Sequence, residues 1–105
     1  MRAGRLTELI RIERATESLN EYGTPSTTWA RVAEVRAELV QQSTTEFIRN
    51  FGATDEELVI FRARFVEGVS NADRVIWKGE AFNIKQVAPI GRREGLELRC
   101  VRTPE

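Results

Sequence analysis

Nucleophilic catalysis needs a nucleophile beside a base, held by a third group, and this sequence offers few of these parts. Histidine does not occur among its 105 residues. That removes imidazole catalysis, histidine-ligated zinc and the ordinary pH switch. The single cysteine, Cys100, excludes an internal disulfide and a multi-cysteine metal site. It lies in the apolar run Leu96-Glu-Leu-Arg-Cys-Val101, which marks it as a small core residue, with no histidine to activate it as a thiol. Only Lys78 and Lys85 could serve a serine–lysine pair. Glu56 and Glu57 are adjacent carboxylates, suited in principle to acid–base or metal work. Neighbours on a strand point to opposite faces, however, so they read as part of a solvated loop. Gly91-Arg-Arg-Glu-Gly95 lacks the Lys-Ser/Thr of a phosphate loop. No catalysis, cofactor or metal is expected.

The elements that would carry these residues run mostly at period two. Ile10 and Ile12 share one face of a first strand, with Arg11 and Glu13 on the other. Asn20-Glu-Tyr-Gly-Thr-Pro25 is dense in turn formers. A second stretch puts Trp29, Ala33, Val35, Ala37 and Leu39 opposite Glu34, Arg36 and Glu38, although its Ala and Glu also suit a helix. In the third, Val59, Phe61, Ala63 and Phe65 alternate with Arg62 and Arg64. Gly79 joins two more strands as a hairpin, Pro89 ends the second of them, and Leu96, Leu98 and Cys100 line a sixth. One segment departs from the pattern. Ser43-Thr-Thr-Glu46 matches a capping box, Phe47, Ile48 and Phe51 follow, and Gly52 stands where a helix would stop. The expectation is a mainly all-β domain spanning 1–105. Its architecture is a small six-stranded β-barrel or sandwich with a short helix, about 43–51, between strands 2 and 3.

Composition narrows the class further. Leu, Ile, Val and Phe make up 28 residues, enough for a modest core. Sixteen basic and sixteen acidic side chains cancel, so no global field draws the chain to DNA or an anionic membrane. No apolar run approaches the roughly 20 residues of a membrane span, and Met1-Arg-Ala-Gly-Arg-Leu lacks the apolar stretch of a signal peptide. The expected setting is a reducing cytosol, or something assembled there. The basic residues are fourteen Arg against two Lys, with fourteen Glu. Arginine's planar fork bonds carboxylates bidentately and suits interfaces. Alternating Arg and Glu on strand faces therefore fits cross-strand or intersubunit pairing. Phe61 and Phe65 beside Arg62 and Arg64 imitate a single-strand nucleic-acid platform, but alternation sends aromatics and arginines to opposite faces. Trp29 and Trp77 read as packing residues beside turns, or as interface anchors.

Several short motifs then carry a resemblance through their order. They are Met1-Arg-Ala-Gly-Arg-Leu6, Ile10-Arg-Ile-Glu-Arg14, Glu21-Tyr-Gly23 and Trp29, then Arg64-Phe65, Gly68-Val69, Asp73-Arg-Val75, Lys78-Gly-Glu80, Phe82-Asn-Ile84 and Leu96-Glu-Leu98. Over about residues 1–102 the chain resembles the phage head–tail joining family, the head-closure or stopper proteins of long-tailed phages, prophages and gene-transfer particles. It departs from them in having Glu67 where a Pro is expected before Gly68. The resemblance implies a small barrel that forms a ring between the portal or adaptor of a DNA-filled head and the tail. That ring would retain packaged double-stranded DNA without reading its sequence and would dock tail-terminator or tail proteins. It would sit in the neck of a particle assembled in the bacterial host cytoplasm, with no membrane and no cofactor. A barrel binding single-stranded nucleic acid, or a generic adaptor domain, is the alternative.

Within such a ring the insert at about 41–57 is the candidate working part. Phe47, Ile48 and Phe51 would anchor it, and the acidic Asp55, Glu56 and Glu57 would face the channel or a partner. Otherwise the helix would fold over an open barrel end and its Phe residues would complete the core. Arg2, Arg5, Arg36, Arg62, Arg64, Glu34 and Glu38 are the candidate intersubunit contacts.

Overall fold

The period-two stretches form six strands. They are β1 (Glu8–Leu19), β2 (Pro25–Arg49), β3 (Gly52–Arg64), β4 (Arg74–Trp77), β5 (Glu80–Ile90) and β6 (Gly95–Arg102), after a single 3-10 turn at Ala3–Arg5. The computed structural model describes the backbone of residues 3–49 and 52–102, and the side chains of 4–44 and 56–102. All pairings are antiparallel, and the strands close into a barrel in the order β1-β2-β3-β6-β5-β4. The closing seam is short: Arg11, Ile12 and Glu13 of β1 pair with Ile76, Val75 and Arg74 of β4. Lys78 and Gly79, both at positive φ (51° and 77°), make the two-residue turn between β4 and β5.

Trp29 apart, the inward faces are those the alternation assigns. Ile10, Ile12, Ala37, Val59, Phe61, Ala63, Val75, Phe82, Ile84, Leu98 and Cys100 are almost wholly shielded from solvent. Trp77 sits among them, edge-on to Phe61 with ring centres 5.3 Å apart and tilted against Phe82 at 5.9 Å. Its indole N–H donates to the Glu8 carboxylate at 3.1 Å, which satisfies its polar end. Trp77 is a packing residue.

Burial pushes the Cys100 thiol from its ordinary 9.0 up to about 12. The folded chain therefore keeps this proton where the unfolded chain loses it. Cys100 should stay unlabelled by a chromogenic disulfide reagent at pH 8 until the protein is denatured. Its stabilising share is complete below about pH 9 and declines as pH rises towards 12. A Cys100→Ala variant should lose that part of the alkaline slope in pH-dependent melting.

The expected helix is absent. Instead β2 runs unbroken for 25 residues. Ser43 pairs with Leu58, and the ladder continues through Glu46↔Asp55 and Phe47↔Thr54 to Arg49↔Gly52. Ser43 is thus not a helix cap, and Gly52 opens a strand instead of stopping a helix. A capping box contributes about one helix end's worth of hydrogen bonds. Continued pairing with β3 satisfies a whole run of backbone groups, and Thr44, Thr45, Phe47 and Ile48 are all good strand formers. The strand wins on that count.

β2 is the spine of the molecule. Its first half, from Pro25 to Ala37, pairs with β1, and its second half, from Ala37 to Arg49, pairs with β3. Two slips bend it. Between Ile12 and Glu13 the partner jumps from Ala33 to Arg31, leaving Val32 extra, and Val40 is extra between Leu39 and Gln41. The first slip turns Trp29 to the outer face, whereas the sequence alternation puts it with Ala33. Beyond the barrel wall each half of β2 continues into a two-stranded arm. The first arm pairs Glu13–Leu19 with Pro25–Arg31. The second pairs Thr45–Arg49 with Gly52–Glu56, residues that pair with no other strand, since β6 reaches only as far as Glu57. A strand enters by one hairpin and leaves by the next, so the two arms project from opposite rims. Beside the first arm lie the β3–β4 loop and the turn after β5. Beside the second lie the β4–β5 turn and the end of β6.

Candidate functional site

Each arm is fastened to the barrel by an arginine–carboxylate junction. At the first arm, Arg14 reaches back over the rim to Asp73, donating from Nε at 3.0 Å and from Nη2 at 3.1 Å, and from Nη2 to the Gly68 carbonyl at 2.6 Å. Asp73 is 2% exposed, and its carboxylate also accepts the Ser70 N–H at 3.0 Å. One buried carboxylate therefore holds both the β3–β4 loop and the arm. The hydrogen bond to Asp73, and then its charge, raise the pKa of the Arg14 guanidinium. On the outer face of the same junction, Glu13 takes Arg74 Nη2 at 2.8 Å and Arg11 Nε at 3.0 Å. The Arg74 guanidinium stacks 3.8 Å from the centre of the Trp29 ring. Trp29, 37% exposed, thus packs the root of the arm.

At the opposite rim Arg102 does the equivalent work. Its Nη2 lies 3.2 Å from Glu57 and its Nη1 lies 3.0 Å from Glu80, joining β6, the base of the second arm and the β4–β5 turn. Glu57 also accepts from the Gln42 amide at 2.8 Å. Its charge is engaged in this junction, while Glu56 alternates to the other face of β3.

The remaining residues singled out from the sequence fall as follows. Glu34, Arg36 and Glu38 line the outer face of β2, and Arg62 and Arg64 that of β3. Arg62 contacts Glu97 of β6 at 3.4 Å. Arg5 is exposed at the end of the 3-10 turn, and Arg2 lies outside the described residues. The backbone of Phe47, Ile48 and Asp55 belongs to the second arm, but their side chains lie outside the described residues, as does all of Phe51. Phe61 and Ala63 point inward while Arg62 and Arg64 point outward, so β3 carries no aromatic–basic platform. Among the described residues no group of three or more acidic, Cys or His side chains is placed to hold a metal.

Arg14 and Asp73 stand in the ordered motifs, but neither their pairing nor that of Arg102 with Glu57 is legible locally, because the partners lie 59 residues apart (Arg14 with Asp73) and 45 residues apart (Arg102 with Glu57). The one local signal was an acid in the turn Ser70-Asn-Ala-Asp73, a spacing that suits a side chain capping its own loop. Asp73→Asn replaces a charged acceptor with a neutral amide. It should lower the melting temperature and speed hydrogen exchange in the first arm, at Arg14 to Leu19, while amides of β6 keep their protection. Unchanged exchange in the arm would show that Asp73 does not hold it.

Comparison with known proteins identifies one family: the model of the phage head completion protein family matches residues 1–103. No curated protein matches the chain. The fold is shared with solved structures, among them the following three. A chain in the virion of a native gene transfer agent particle superposes with a TM-score of 0.74 at 21% identity, covering 95% of this chain and 96% of that one. Protein SF1141 from Shigella flexneri 2a gives 0.64 at 21% identity, with 95% of each chain covered. The phage-like element PBSX protein xkdH from Bacillus subtilis gives 0.58 at 13% identity, covering 90% and 92%.

Proposed function

The chain belongs to the phage head completion protein family, a structural part of phage-like particles, and from that premise we propose that it is one subunit of a neck ring. The ring sits between the portal or adaptor and the tail, retains packaged DNA and presents the surface on which the tail docks. The observation that carries this reading is the 25-residue β2, which joins two arms on opposite rims of one closed barrel. A subunit with a single ligand pocket needs one working face. A subunit that must hold two neighbouring layers of an assembly needs two, rigidly related.

The second arm is the part that narrows the channel or engages the next layer. It is a ribbon rather than the helix the sequence suggests, with Asp55 and Glu56 beyond the Arg102 junction and Glu57 within it. The outer rows of Glu34, Arg36, Glu38, Arg62 and Arg64 are available for contacts between subunits. Closed head-to-tail contacts generate a ring. Electron microscopy of tail-less heads tests the proposal: density for this barrel should encircle the axis below the portal. Heads whose necks lack it would overturn the reading.

A further inference from the structure

The tip of the first arm and the outer wall of the barrel are complementary, and both are idle in the single chain. Leu19 and Tyr22 at the tip are 70% and 83% exposed, the highest values among the large apolar residues described. Glu17 and Glu21 beside them are exposed and enter no ion pair among the described residues. This tip is preformed. Asn20 Oδ1 accepts the N–H groups of Tyr22 and Thr24, at 2.9 and 3.0 Å, and backbone bonds Asn20–Thr24 and Gly23–Asn20 close the turn. Ordering it on binding therefore costs little.

On the wall, Leu9 of β1 is 53% exposed and pairs in register with Arg36 of β2. The β2–β3 ladder ends at Ala37↔Ala63, and Arg36 and Arg64 are the first residues past that end, both exposed on the outer face. Neither arginine has an ion-pair partner among the described residues, as is also true of Arg5, Arg31, Arg92 and Arg99, but these two flank the exposed Leu9 wall. Glu34 and Glu38 share the outer face of β2 with Arg36, two positions to either side, and neither forms an ion pair with it.

We propose that the first-arm tip of one copy docks on this wall of the next copy, with Leu19 and Tyr22 against Leu9 and with Glu17 and Glu21 on Arg36 and Arg64. Tip and wall are different surfaces, so the contact is head-to-tail and propagates around a ring. The Arg14–Asp73 junction sets the angle at which the arm leaves its barrel, and hence the step from copy to copy. This deepens the ring reading and rests on it.

Cysteine cross-linking in assembled particles separates the two. A Leu9→Cys, Leu19→Cys variant is incorporated into necks and mildly oxidised, with the native Cys100 buried out of reach. The expected result is a ladder of linked copies on a denaturing gel that neither single variant gives. A complementary pair of charge swaps, Glu17→Arg with Glu21→Arg and Arg36→Glu with Arg64→Glu, should each abolish neck incorporation while keeping the wild-type melting temperature. The four changes together should restore it. Rings visible in the neck with no ladder, or swaps that leave incorporation unchanged, would overturn the tip–wall contact and leave the ring standing. Necks without any ring of this protein would overturn both.

Discussion

Cutting the second arm back to a two-residue turn should leave a folded barrel whose particles lose DNA or fail to join tails. Joining Thr44 to Glu57 through Asn-Gly replaces residues 45–56, keeps the Glu57–Arg102 junction and supplies a turn suited to antiparallel strands. None of the described core residues lies between 40 and 58, and the removed strands pair only with each other. The melting temperature should therefore stay within a few degrees of the parent. Filled heads made with the variant should be scored for retained DNA and attached tails. A variant that cannot fold would mean that the segment completes the barrel. A variant that folds and joins tails normally would mean that the arm is dispensable. Either outcome refutes the role proposed for it.

Phe61→Ala should have the largest effect on stability. Phe61 is wholly buried at the centre of the barrel and takes the edge-on contact from Trp77. Truncating such a side chain costs about 3–5 kcal/mol, a transfer cost and a cavity together, from a domain total of about 5–15 kcal/mol. For a domain of this size that corresponds to a fall of roughly 15–30 °C in melting temperature, read by circular dichroism. Leu9→Ala, on the exposed wall, should shift stability by no more than about 0.5 kcal/mol and serves as the control. A fall of a few degrees for Phe61→Ala would show that the barrel collapses around the gap and that its core is looser than the buried contacts indicate.

Much of this molecule was legible in the order of its residues, for a local reason. Alternation is read over a few neighbours, so Ile10 and Ile12, Phe61 and Ala63, and Leu98 and Cys100 declared their inward faces before any fold was known. The hairpin at Gly79 was equally local, since a two-residue turn demands positive φ at its centre. The ordered motifs also carried the likeness to head-closure proteins, and the family match over residues 1–103 bears it out. Local signals failed at Ser43-Thr-Thr-Glu46. There two conformations compete for the same backbone groups, and only β3, lying alongside, decides in favour of the strand.

Tertiary structure alone decided the rest. That β2 serves two partners in succession depends on where β1 ends and β3 begins to pair, which periodicity does not encode. The bulge at Val32 flips Trp29 outward because one strand has an extra residue that its partner lacks. Arg14 with Asp73, and Arg102 with Glu57, are surface-type residues in the sequence. Closure of β1 on β4 brings the first pair together across 59 residues, pairing of β3 with β6 brings the second together across 45, and both become the junctions that aim the arms. Local sequence determined which side chains face inward. Chain closure determined which charges meet, because an ion pair depends on distance in space and not on spacing along the chain.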